Sequence, residues 1–209
     1  MNSKSYYKKK SLISIFIEMI VTIIIALFIS VFFVSNVLTI TQIKEQSMEA
    51  TFVEDDRVIV NKTAYLIGSP FREDVVILDK VNNEKGIIIN MINESKSIIA
   101  NIKYRFTGNI EKNRLLKRVI ALEGDIIDIR EGYVYLNGKK LEEDYVNNHT
   151  YPRYGLSYPV EVPQGKVFVL GDNREYSLDS RDFGFIDLEQ IKGKVVFRVF
   201  PFSKFGKIN

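Results

Sequence analysis

Hydrophobic positions in this chain follow two different rhythms. From Leu12 to Val34 nearly every residue is Ile, Val, Leu or Phe, and Glu18 is the one charge. As a helix this run spans roughly 34 Å, at about 1.5 Å per residue, enough to cross the core of a bilayer. Thr22 and Ser30 are tolerable there because their hydroxyls bond back to the helix. Glu18 lies about one and a half turns in, where it reaches the headgroups, takes a proton or faces a partner. A cleavable leader needs a shorter apolar core and an A-x-A-like site, and Val34-Ser35-Asn36-Val37 is a poor one. We therefore expect a tail over 1–11, a retained transmembrane anchor over 12–35 and a folded domain over 36–209.

Beyond the anchor the rhythm shortens to β-type runs. Val58-Ile59-Val60, Val75-Val76-Ile77-Leu78, Val167-Phe168-Val169-Leu170 and Val195 to Val199 are apolar and β-branched, and Asp125 to Arg130 alternates in part. Tyr133 to Leu136, then Asn137-Gly138, then Lys139 to Leu141 reads as a hairpin closed by a type I′ turn. The expected fold class is mainly β: an N-terminal transmembrane helix, then an antiparallel β domain with one core. One stretch breaks the pattern. Ile88, Met91, Ile92, Ser95, Ile98, Ile99 and Ile102 recur at helical spacing, so Lys85 to Arg105 reads as an amphipathic helix inside an insertion over 84–112. Its apolar face packs on the domain or lies on the membrane surface.

Composition narrows the chemistry. The 209 residues hold no Cys, which removes disulfides, thiolate nucleophiles and Cys-based zinc sites. The one His, His149, sits in a polar stretch with Asn147, Asn148 and Thr150 and reads as an exposed loop residue. A hydrolase built on this chain must then use Lys, Asp or Glu as its base. The net charge of +3 is too small to argue for nucleic acid. Lys4, Lys8, Lys9 and Lys10 precede the anchor directly. By the positive-inside rule the tail stays in the cytoplasm and everything after about residue 36 is outside.

Three separated segments bear on that chemistry: Ser47-Met48-Glu49-Ala50-Thr51-Phe52, Lys117-Arg118-Val119-Ile120-Ala121-Leu122-Glu123-Gly124-Asp125, and Gly171-Asp172-Asn173-Arg174 through Ser177, Asp179, Ser180 and Arg181 to Gly184. In order they resemble the S-M-x-P-T-L, K-R-V-x-G-x-P-G-D and G-D-N-R-x-x-S-x-D-S-R signatures of type I signal peptidases. Arg72-Glu73-Asp74-Val75-Val76 is a weaker match to R-G-D-V-V. The resemblance covers the anchor and the outer domain apart from 84–112. It implies Ser47 as nucleophile, Lys117 as general base, Ser177 as the hydroxyl that orients the lysine, and Asp179 with Arg181 as a supporting ion pair. Asp172 and Asn173 match the turn that opens the third signature. Arg118 is a further supporting candidate beside the lysine.

Elementary chemistry agrees with that assignment. A serine hydroxyl is a poor nucleophile until a base takes its proton. Lysine serves only when neutral, and burial favours the neutral amine. Leu115, Leu116, Val119 and Ile120 suit Lys117 to a buried strand. The implied activity is removal of signal peptides from exported preproteins through an acyl-enzyme, with no metal or cofactor and the lipid bilayer as the other partner. The substrate is expected to add as a strand beside Ile40 to Ile43 and the stretch ahead of Lys117, with Ile40, Gln42 and Leu115 as binding residues. Alternatives are a dedicated processing peptidase for pilins or other surface proteins, and a catalytically silent tethered homologue. The departures are Glu45 for a usual Gly or Ser, Ala50 for Pro, and Glu73, Ala121 and Glu123 for Gly, Gly and Pro. A Gly replaced where φ is positive carries a cost.

Overall fold

The computed structural model describes residues 11–65, 68–79, 92, 96 and 114–208. The insertion expected over 84–112 lies outside the described residues except for Ile92 and Lys96, both helical. Helix α1 (Leu12–Asn36) starts at Ser11, whose hydroxyl accepts from the Ile13 N–H at 3.3 Å. Thr22 Oγ1 donates to the Glu18 carbonyl at 2.7 Å, so this hydroxyl is satisfied inside the helix. The span Leu12–Phe33 is long and apolar enough to cross a membrane, and its most apolar window has no buried side chain. A bilayer would cover that surface.

The strands are β1 (Leu38–Gln42), β2 (Arg57–Asn61), β3 (Val75–Asp79), β4 (Arg114–Leu122), β5 (Ile126–Arg130), β6 (Tyr133–Leu136), β7 (Lys139–Lys140), β8 (Val160–Glu161), β9 (Lys166–Leu170), β10 (Ile186–Asp187), β11 (Ile191–Phe200) and β12 (Gly206–Lys207). A short helix, α2 (Ser180–Phe183), precedes β10. One antiparallel sheet runs β1-β2-β11-β3-β4-β9-β10, with β12 on β11, and a second runs β7-β6-β5-β8. β3 is buried throughout and β4 nearly so, which explains their unbroken apolar runs. β5 is covered on one face only: Ile127 and Ile129 are buried while Ile126 and Arg130 are exposed. At the β6–β7 turn Asn137 and Gly138 have φ of 52° and 80°, the two positive values a type I′ turn needs.

Among the described residues the core has three parts. Ile43, Met48, Phe52, Val58, Val60 and Leu116 pack together around the loop after β1. Val76, Leu78, Leu115, Val119 and Val169 form a second cluster. Ile120, Ile127, Val134, Phe168 and Leu170 join β4 and β9 to the smaller sheet.

Asp125 ties that joint. Its carboxylate accepts from Arg72 Nε at 3.1 Å and NH2 at 2.7 Å, from the Leu122 N–H at 2.9 Å and from Asn137 Nδ2 at 2.8 Å. Burial pushes this carboxyl up, but the bonds from Arg72, Leu122 and Asn137 outweigh it and hold it below the usual range. A depressed folded-state value gives stability that is present above the unfolded value and lost as pH falls through the folded one. Asp125→Asn is therefore expected to cost about 2 kcal/mol at neutral pH. In urea melts, the gap to the parent chain should close below the ordinary carboxylate range. A gap that stayed constant with pH would remove the charge from the explanation.

Candidate active site

Ser47 lies in a single 3-10 turn, Gln46–Met48, that follows β1. Met48 is fully buried and accepts through its carbonyl from Thr51 and Phe52, so the turn is pinned from beneath. Lys117 is in mid-β4, opposite Val76 on β3. These elements bring the two side chains together. Lys117 Nζ donates to Ser47 Oγ at 2.7 Å and to the Leu116 carbonyl at 2.9 Å. Ser47 is 5% exposed and Lys117 1%. Such burial disfavours an ammonium, because it strips water from the charge. An uncharged amine at this distance could instead accept the hydroxyl proton.

The turn at 171–177 holds the serine from the other side. The Asn173 N–H donates to the Ser47 carbonyl at 3.0 Å, and Asn173 Nδ2 to the Gln46 carbonyl at 3.1 Å. Gly171 is required by close approach. A Cβ built there would lie 2.2 Å from Ser177 Oγ and 2.4 Å from the Ser47 carbonyl oxygen. Ser177 itself is buried, and its hydroxyl makes no hydrogen bond. The expectation that it bonds the lysine amine is thus not met by a contact in this arrangement.

Charged pairs lie beneath the turn. Arg118 binds Asp172 with Nε at 2.9 Å and NH2 at 2.7 Å, and Thr51 also donates to Asp172. Burial pulls the Arg118 guanidinium down, yet Asp172 outweighs it and keeps the value above the ordinary one. Its Cζ lies over the ring of Tyr145, 4.0 Å from the ring centre. Arg181 and Asp179 form a second bidentate pair at 2.8 and 2.9 Å. Asp179 also caps α2 and accepts from the Gly171 N–H at 3.1 Å. Sequence reasoning marked Glu45 as a departure but missed its place beside the lysine, with Oε2 3.9 Å from Lys117 Nζ. It also missed Arg174, fully buried and bound to Glu143 and Thr150. The signal for Arg174 was present, since it completes the G-D-N-R run.

The substrate-side residues are more scattered. Ile40 is 64% exposed on β1, which among the described residues pairs with β2 alone. Gln42 is turned to Asp55, donating through Nε2 at 2.5 Å. The Leu115 side chain is buried in the second core cluster, so any peptide contact there would use backbone. β9 pairs with β4 only from Arg118 onward, leaving Arg114 to Leu116 bonded to β3 on one side. Of the departures noted above, Glu73 alone takes the left-handed backbone, at φ 71°. A non-glycine residue there costs about 1 kcal/mol. Its carbonyl accepts from Arg118 NH1 at 3.0 Å. His149 is exposed, with its ring edge-on to Tyr133. Among the described residues no cluster of His, Cys, Asp or Glu could hold a metal ion.

A buried hydroxyl against a buried amine, in an antiparallel β domain behind an apolar helix, fits the class of membrane-bound Ser/Lys hydrolases. A family model described as signal peptidase, peptidase S26, matches residues 15–200. The signal peptidase I of Bacillus licheniformis is 32% identical over 212 residues, covering 98% of this chain and 97% of that protein. Signal peptidase IB of Staphylococcus aureus strain COL is 33% identical over 205 residues, or 90% and 92% of the two chains. A crystal structure of a signal peptidase I from Enterococcus faecalis V583 aligns with 62% of this chain and 98% of that one, at 27% identity and a TM-score of 0.43. The chain belongs to the peptidase S26 family of signal peptidases.

Proposed function

We propose that the chain removes signal peptides from exported preproteins, with Ser47 as nucleophile and Lys117 as general base. The observation that carries this reading is the 2.7 Å contact between Lys117 Nζ and Ser47 Oγ, both buried. In the first step the neutral amine takes the hydroxyl proton while Oγ attacks the scissile carbonyl. The ammonium returns that proton to the leaving amine, which departs as the new N-terminus of the mature protein. A water molecule then attacks the acyl-enzyme, again losing its proton to Lys117, and Ser47 is regenerated. Arg118, Asp172, Asp179 and Arg181 position the turn, and Ser177 stands beside it.

Topology supports the same reading. Residues 1–11 form a cytoplasmic tail, 12–35 the anchor, and 36–209 an outer domain with the insertion over 84–112. The eleven Cα-to-Cα steps from Asn36 to Ser47 reach no further than about 40 Å. A preprotein held by its apolar segment would present its cut site at that level. Lys62 ties the strand to the anchor's end, donating through Nζ to the Ser35 carbonyl at 3.2 Å. The peptide would extend along the free edge of β1 near Ile40 and Gln42 and along the backbone of Leu115.

The full chain reconstituted in vesicles should cut a preprotein after its apolar segment, with small side chains at the first and third positions before the cut. Mass spectrometry of the products reads the site. Because the chain has no Cys, an impermeant thiol reagent on intact cells should label Asn148→Cys and not Ser5→Cys. Uncut preprotein under all conditions, with a folded enzyme, would overturn the activity.

A further inference from the structure

The amine of Lys117 has a neighbour that the mechanism above does not use. Glu45 Oε2 stands 3.9 Å from Nζ, with the glutamate side chain 25% exposed and the lysine 1%. Glu45 directly precedes the turn that carries Ser47, in extended backbone, and makes no capping bond to that turn. Helix capping therefore does not account for the direction of this carboxylate. Among the described residues, the charged pairs beneath the neighbouring turn are engaged with each other. Arg118 and Asp172 bind each other, as do Arg181 and Asp179. Glu49, beyond the turn, faces Asn173 Nδ2 at 3.4 Å. From β3 the residue opposite is Val76. Ser47 Oγ and the Leu116 carbonyl are neutral groups that accept from the amine.

Two effects on the amine then oppose each other. Burial favours the neutral form, while a carboxylate at this range favours the ammonium. An opposite charge within about 4–6 Å moves a titration by roughly 1–3 units, and partial exposure of Glu45 puts it at the low end. We propose that Glu45 is a positioning residue that holds Lys117 protonated in the unloaded enzyme, so that the dyad is armed by the substrate. This rests on the Ser47/Lys117 reading. A peptide strand laid along Ile43 to Gln46 strips water from the carboxylate. An ion pair deprived of water is destabilised relative to a neutral pair. The proton leaves Nζ and binds Oε2. The net charge of the pair stays zero, and the amine lone pair is left facing Ser47 Oγ.

The test uses the full chain, labelled with 15N-lysine, in detergent micelles. The Lys117 Nζ signal is assigned by its loss in Lys117→Met and titrated in the parent chain, Glu45→Gln and Glu45→Asp. The midpoint should fall by about one unit in Glu45→Gln, with Glu45→Asp between. Peptide cleavage should show the same direction. The acid limb of kcat/KM, which reports the free enzyme, moves down in Glu45→Gln, giving about fivefold higher kcat/KM one unit below the parent midpoint. The acid limb of kcat, which reports the complex, should shift far less. A residue with only a structural role would lower rates at every pH and leave both limbs in place. An unmoved Nζ midpoint overturns the proposal. If no variant cleaves peptide, the activity reading fails, and the Nζ titration still decides whether Glu45 holds the proton.

Discussion

Lys117→Met is expected to reduce preprotein cleavage by about 10⁴-fold or more while leaving the fold intact. The two outcomes differ because the side chain's volume is kept and its chemistry is not. Lys117 is 1% exposed, in the middle of a strand buried on both faces. Methionine has nearly the same length and fills the same space, so packing survives. The bonds from Nζ to Ser47 Oγ and the Leu116 carbonyl are lost, at a cost of about 1–2 kcal/mol in stability. What is lost is the proton acceptor at 2.7 Å from Ser47 Oγ. General base catalysis contributes about 10²–10⁴, and loss of a nucleophile–base unit costs more than either factor alone. Lys117→Arg should fare no better, since a guanidinium stays protonated and is too bulky for the space beside Leu116. Ser47→Ala should match Lys117→Met, and the double variant should be no worse than either single one. Thermal melts and cleavage assays on the same preparations check both halves. Substantial cleavage by Lys117→Met would remove the lysine from the chemistry.

Both fold and site were partly legible in the residues, and the misses have physical causes. The hairpin at Asn137-Gly138 could be placed from two residues, because the turn needs positive φ at both and these supply it most cheaply. The strands at Val75, Val167 and Val195 announced themselves by β-branched runs. β8, β10 and β12 did not, because each is two residues long and its pairing is set by tertiary contacts. The Ser47/Lys117 encounter rests on residues seventy positions apart. No local pattern joins them, so it was the resemblance of three separated segments that put them in one site. Contacts made by partners chosen in space were lost altogether. Glu45 stands out in the sequence only as a departure from a usual Gly or Ser, and in space it is a charge beside the amine. Leu115 was read as a substrate contact, and its side chain belongs to the core. Ser177 was read as a partner of the lysine, and its hydroxyl is enclosed without a bond. Alternation along a strand says which residues share a face and not which of several neighbours each will touch.

The largest effect on stability is expected at Arg174. Its side chain is fully buried, and its donors are spent locally: Nε to the Gly171 carbonyl at 3.0 Å, NH1 to Thr150 and to Glu143 Oε2, and NH2 to Glu143 Oε1. Its carbonyl accepts in turn from Arg153 NH2 at 3.0 Å and Arg181 NH2 at 2.6 Å. Arg174→Ala leaves the Glu143 carboxylate, only 9% exposed, without its partner, and leaves a cavity as well. Breaking one half of such a pair costs about 3–5 kcal/mol. Arg174→Met with Glu143→Leu removes both charges and fills the space, so it should recover most of that loss. Activity should not recover in step. Gly171 and Asn173 belong to the turn that Arg174 holds, and Asn173 holds the Ser47 carbonyl at 3.0 Å. A turn that has lost the bond from Arg174 Nε to Gly171 no longer fixes the nucleophile, and a displacement of about 1 Å can cost 10²-fold in rate. Thermal unfolding of the parent, Arg174→Ala and the double variant, in detergent, reads the first effect, and kcat on a peptide substrate reads the second. If the double variant regained both stability and full turnover, the buried pair would be a packing element alone, and the turn would need no help from Arg174 to hold Ser47 in place.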